Sequence, residues 1–123
     1  MSRRHTIKLQ NIVVGWSDLE DADPIAGRAR GRFRPGVGYD LVQPVFQLFT
    51  EAVPKRGADV RDREKLERYY KSRDALGLSL EDDEGRPVRT STIHIVDYGM
   101  LRGGIEVEVL ISDAEYWKRR GGS

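Results

Sequence analysis

The stretch that most constrains the fold runs from Gly27 to Ala52, G-R-A-R-G-R-F-R-P-G-V-G-Y-D-L-V-Q-P-V-F-Q-L-F-T-E-A. It couples an arginine-striped strand to the most hydrophobic helix of the chain through Pro35-Gly36-Val37-Gly38. From Arg28 to Arg34 the period of two is strict. Arg28, Arg30, Arg32 and Arg34 share one face, and Ala29, Gly31 and Phe33 share the other. Small residues at 29 and 31 let another element lie close, and the aromatic start of the next helix is the expected occupant. That helix is predicted from Asp40, which stands three residues before Gln43 in the form of a capping box. Pro44 removes one hydrogen bond near its start. Leu41, Val45, Leu48 and Ala52 make one stripe, and Val42, Phe46, Phe49 and Val53 a neighbouring one, so most of its circumference is expected to be buried. Pro54 ends it.

Upstream, His5 to Val14 reads as a first strand. Ile7 and Leu9 alternate with Lys8 and Gln10, and Ile12-Val13-Val14 extends the run. The alternation loses phase near Asn11, which predicts a bulge there or burial of both faces beyond it. Gly15 to Ala26 reads as an acid-rich connection carrying Asp18, Glu20, Asp21 and Asp23, and the arginine strand is expected to pair antiparallel with the first strand. Downstream, a second helix spans about Val60 to Leu76, capped by Asp59 and stopped by Gly77. Its apolar stripe is thin (Val60, Leu66, Tyr69 or Tyr70, Leu76), as expected of a surface helix. The rest reads as an antiparallel meander. Leu78 and Leu80 make a short strand, Asp82 to Pro87 a turn, and Val88 to Tyr98 a long strand. The connection Gly99 to Gly104 leads to Ile105–Ile111, the cleanest alternation in the chain, with Glu106 and Glu108 on its polar face. Asp113 caps a short final turn holding Tyr116 and Trp117, followed by a flexible basic tail over 118–123.

These elements predict an α+β fold in a single domain over residues 1–117. It has an antiparallel sheet of about five strands, in ββααβββ order, with two helices on one face. Length permits a real core, since a chain of 123 residues buries roughly two-thirds of its unfolded surface. The 21 basic and 20 acidic residues leave a net charge of only +1. That balance does not advertise a nucleic acid or membrane partner for the whole molecule. No segment approaches the roughly 20 apolar residues of a membrane span, and no apolar run follows the charged start, so cytoplasmic residence is the expectation.

Several chemistries lack their residues. There is no cysteine, which excludes disulfides, thiolate nucleophiles and cysteine metal sites. With only His5 and His94 as histidines, metal sites built on two or three of them have almost no material. Asp21-Ala-Asp23 is too sparse for an EF-hand loop, and no Ser sits in a G-x-S-x-G elbow. Gly36-Val-Gly38 stands where a phosphate-binding turn would, but Leu41 replaces the third glycine of the dinucleotide fingerprint and Asp40 repels an anion. No cofactor is implied.

Two functional readings remain. In the first, Arg28, Arg30, Arg32 and Arg34 form an anion-binding surface. Same-face residues on a strand lie about 6.6–7 Å apart, close to the spacing of phosphates along a nucleic-acid strand, and Arg grips phosphate and carboxylate in a planar fork. The chain is then a non-catalytic binding or oligomerisation module for an acidic or phosphorylated partner, nucleic acid being less favoured, with Trp117 as a further contact residue and a two-fold homodimer as a natural assembly. Glu106 and Glu108 alternate in the same way on another strand and the acid cluster at 18–23 lies just upstream, so cross-strand pairing would instead absorb the arginines structurally. In the second reading the chain is a small enzyme or ligand-binding domain. Its pocket lies between sheet and first helix, and His94 is the general base, oriented by Glu106 or Glu108.

Overall fold

The computed structural model describes residues 4–52, 63–97 and 104–121. Its first strands are β1 (His5–Leu9) and β2 (Ile12–Ser17), followed by β3 (Asp21–Asp23), β4 (Arg28–Arg32) and β5 (Arg34–Pro35). Helices α1 (Tyr39–Ala52) and α2 (Arg63–Leu76) come next, then β6 (Ser79–Glu81), β7 (Pro87–Val88), β8 (Thr90–Asp97), β9 (Ile105–Ile111) and α3 (Ala114–Gly121). The fold is α+β, with all described strand pairs antiparallel.

The strands divide between two sheets, in the orders β5-β2-β1-β6-β7 and β3-β4-β9-β8, where a single sheet was expected. Two long segments belong to both. Residues 28–35 leave the second sheet as β4 and enter the first as β5, bending at Phe33, whose amide still donates to the Ile105 carbonyl at 2.8 Å. Residues 87–97 cross in the other direction at Arg89, whose carbonyl accepts from the Ser112 amide at 3.0 Å. The predicted strands Arg28–Arg34 and Val88–Tyr98 are therefore each bent in two. Together the bends close the sheets into a flattened six-stranded barrel, since strands that switch sheets make the corners of such packings. Inside it lie Ile7, Val14, Ala29, Phe33, Leu80, Ile95, Val107 and Val109, all buried.

The N-terminal segment departs from its reading most. His5–Val14 is not one bulged strand but part of a hairpin that turns at Gln10-Asn11, with Gln10 at φ +56°. A two-residue hairpin turn favours positive φ, and Gln10 takes it here without a glycine. The bulge is real but sits at Val14, because Ile7 faces Gly15 while Lys8 faces Val13. Only Arg34-Pro35 of the arginine segment pairs with this hairpin; β4 itself lies between β3 and β9.

Helix α1 touches both β2 and β8 and so spans the mouth between the sheets. Its anchor is Tyr39, buried against Phe33 with ring centroids 5.4 Å apart and donating its hydroxyl proton to Asp97 Oδ2 at 2.7 Å. The Asp40–Gln43 capping box is absent. The helix starts one residue earlier, the Tyr39 and Leu41 amides bond the Gly36 and Gly38 carbonyls, and Gln43 donates to Asp97 at 3.2 Å. The tight approach at Gly31 is made by residues 17–20, not by α1: a Cβ there would lie 2.9 Å from Leu19 Cα. In α2, Tyr69 is the core residue and Tyr70 is exposed; Gly77 stops the helix at φ +63°. The Pro54 stop, the Asp59 cap, Val53, Val60, Tyr98 and the connection 99–103 lie outside the described residues.

Asp113 caps α3 as expected, its Oδ1 accepting the Glu115 and Tyr116 amides at 3.1 and 3.2 Å. The final turn is an eight-residue helix that runs on through Gly121. Among the described residues no helix is long and apolar enough to cross a membrane.

Candidate functional site

Alternation in β4 places Arg28, Arg30 and Arg32 on the outer face of the second sheet, all exposed, while Ala29 and Gly31 turn inward. Register then builds rows across this face. Arg30 stands between Asp21 of β3 and Glu108 of β9, Arg28 between Asp23 and Leu110, and Arg32 opposite Glu106. The guanidinium groups turn toward the acids that precede them in sequence: Arg30 lies 3.4 Å from Asp21 and Arg28 3.9 Å from Asp23. Glu106 and Glu108 are in register as partners yet ion-pair with none of the arginines among the described residues. Arg34 leaves the face, because the bend at Phe33 carries it into the other sheet opposite Trp16, where it meets Asp18 at 3.4 Å. About half of each paired arginine side chain is exposed (50–56%). Arg32 makes no ion pair among the described residues and borders a shallow hollow shared with Glu20, Asp21, Arg30 and Glu106.

His94 also lies on the outer side of the second sheet, opposite Glu108 in register, but helices cover it. The Tyr69 hydroxyl is hydrogen-bonded to His94 Nδ1, and the Phe49 ring meets the imidazole edge-on at 4.5 Å. Burial first, and then the positive charge of Arg73, push the His94 pKa down to about 4. Neither glutamate offsets this. Burial raises the Tyr69 hydroxyl well above its ordinary value, so both partners are neutral near pH 7. A general base works best with a pKa near the operating pH, and this imidazole is far below it. Asp97 holds Tyr39 and Gln43.

A constellation that sequence reasoning missed lies at the end of the barrel near α3. His5, at the start of β1, is 2% exposed, and its Nε2 is 2.9 Å from the buried Tyr116 hydroxyl. Arg120 Nη1 donates to that hydroxyl at 2.7 Å, and its Nη2 donates to the Leu19 carbonyl. Across a cleft of about 170 Å³, Asp82 in the β6–β7 turn is 6% exposed and faces Arg86 at 2.9 Å and Arg119 at 3.8 Å. Hydrogen bonds from Arg86, its side chain and its amide, and from the Glu84 amide hold the Asp82 carboxyl below its ordinary value against the cost of burying it. The sequence signal for it is slight: Arg120 stands one helical turn after Tyr116, which does not join either to His5.

Trp117 is half-buried, with Nε1 donating to the Ile111 carbonyl at 3.2 Å and its ring edge-on to Tyr116. Its polar atom thus serves the fold. Among the described residues no group of three or more acids or histidines is placed to hold a metal ion. No family model matches the chain, and neither a curated protein nor a solved structure matches it significantly.

Proposed function

We propose that the chain is a non-catalytic binding module that holds an acidic or phosphorylated protein segment on the outer face of β4. The observation that carries this reading is the row Arg28, Arg30 and Arg32, with three guanidinium groups on one side of a strand that no described helix covers. Their present partners, Asp21 and Asp23, are exposed carboxylates at 3.4–3.9 Å. Exposed pairs of this kind contribute only about 0–1 kcal/mol each. A phosphate, with more charge and three acceptor oxygens, competes well for the same guanidinium forks. Asp21, Asp23, Glu106 and Glu108 flank the row and repel a long polyanion, so a discrete acidic segment fits better than nucleic acid. The same alternation of basic and acidic rows is self-complementary under a two-fold axis, which makes a second copy the competing occupant.

The enzyme alternative has less support. His94 is neutral and covered by Phe49 and Tyr69.

The test is fluorescence anisotropy with phosphoserine and glutamate-rich peptides at two salt concentrations. Binding is expected to weaken steeply with salt, and Arg30→Ala with Arg32→Ala is expected to abolish it while leaving the circular dichroism spectrum and the Tm nearly unchanged. Loss of the fold in the double variant would make the arginines structural. A concentration-dependent dimer abolished by the same variant would assign the face to a second copy.

A further inference from the structure

We propose that the cleft between α3 and the β6–β7 turn binds a compact tetrahedral oxyanion, a free phosphate or the phosphate of a small molecule, gripped by Arg119 and Arg120 above the His5–Tyr116 pair. Three buried polar side chains, His5, Asp82 and Tyr116, reach one cleft from β1, from a turn and from a helix. Buried polar groups converging on a concavity are the usual mark of a ligand site.

Charge is sorted across that cleft. On the turn side Arg86 pairs with Asp82, at 2.9 Å, and Glu84, at 3.3 Å, and its charge is also felt by Asp83, the third acid lining the cleft. On the α3 side Arg120 is half-buried and donates to two uncharged oxygens, the Tyr116 hydroxyl and the Leu19 carbonyl, and makes no ion pair among the described residues. A partly desolvated cation without a counter-charge is an incomplete arrangement. An oxyanion beside it completes the pairing through the remaining guanidinium donors, and Arg119, tied to Asp82 only at 3.8 Å, supplies a second fork.

Arginines in the last turn of a helix also favour the negative end of its dipole. That account covers Arg119 and Arg120 only in part, because Arg120 gives its described hydrogen bonds to the Tyr116 hydroxyl and the Leu19 carbonyl and none to the backbone carbonyls that end α3. Size sets the ligand class. About 170 Å³ holds a phosphate group and little else, below the ~300–1,000 Å³ of sites for drug-sized molecules.

The experiment is isothermal titration of the full chain with inorganic phosphate, O-phosphoserine and acetate at matched ionic strength. Saturable 1:1 binding of phosphate is expected, with Arg119→Gln weakening it by about tenfold. Arg119→Gln should have the same effect in the wild-type chain and in the Arg30→Ala, Arg32→Ala background, which separates this site from the face of β4. Tighter binding of O-phosphoserine would identify an organic phosphate as the ligand, and tighter binding of the inorganic ion the free anion. Arg120→Gln removes the central cation but also two contacts of the fold, so the more peripheral Arg119→Gln decides the matter. No saturable binding of phosphate, acetate binding as well as phosphate, or unchanged affinity in Arg119→Gln would each overturn the proposal.

Discussion

At the scale of single residues, His94 is the clearest case of burial fixing a protonation state. An unfolded chain would protonate its imidazole near pH 6.5, whereas the native one resists until about pH 4. Between those values the unfolded state binds the extra proton, so stability falls as pH drops from about 6.5 to about 4 and this contribution is fully lost below that. The gap corresponds to about 3 kcal/mol at 1.4 kcal/mol per pH unit. Urea unfolding across this range should show the slope, and His94→Gln, which cannot titrate but can still meet Tyr69, should flatten it. Glycines give a second contrast. A Cβ at Gly15 would sit 2.3 Å from the Phe33 ring and 2.4 Å from the Arg34 carbonyl oxygen, with backbone that cannot step aside cheaply. At Gly77 nothing lies within 4 Å, and only the φ of +63° resists a side chain. Gly15→Ala should therefore cost more than about 2 kcal/mol, and Gly77→Ala about 1 kcal/mol, by equilibrium unfolding.

Secondary elements show what could be read in advance and what could not. The last strand, Ile105–Ile111, was legible to the residue because its apolar and polar positions alternate without interruption. Alternation also put Arg28, Arg30 and Arg32 on one face. It could not show that Phe33 bends the strand away from Arg34, because a bend leaves the period of two intact. The reversal at Gln10-Asn11 escaped for a related reason: without glycine or proline it resembles a fault in one strand. The cleft at α3 was illegible, since its members are spread from residue 5 to residue 120 and only the closed topology joins them. The cap of α3 is a testable instance of local chemistry reaching further. Asp113 accepts the Glu115 and Tyr116 amides through Oδ1 and the Arg89 amide through Oδ2, at 3.2 Å in the last case. Asp113→Ala should thus exceed the ~1 kcal/mol of an ordinary cap, and thermal melts should show it. Because backbone hydrogen bonds hold this carboxyl below its ordinary value, its contribution is present above the unfolded pKa and is lost as pH falls through the lower folded one.

Taken as a whole, the molecule protects its strands by closure. Among the described strands β3 alone ends its sheet without a bend into the other, and it is three residues long and acidic. Short, charged edges resist pairing with other chains, which disfavours assembly by strand addition and directs contact to faces and clefts. Native-state hydrogen exchange should rank the strands accordingly. Amides of β9, bonded on both sides by β4 and β8, are expected to exchange slowest, and those of β3 fastest.

The barrel closes through pairs such as Ile7 with Leu80 and Ala29 with Val109. Such partners meet only after most of the intervening chain has been gathered in, at an entropic cost incurred before any reward arrives. Folding is therefore expected on the millisecond-to-second scale of strongly non-local β topologies. A ribosome must release the segment carrying β9 before β4 can find its neighbour. Until then the arginine strand waits with one side bare.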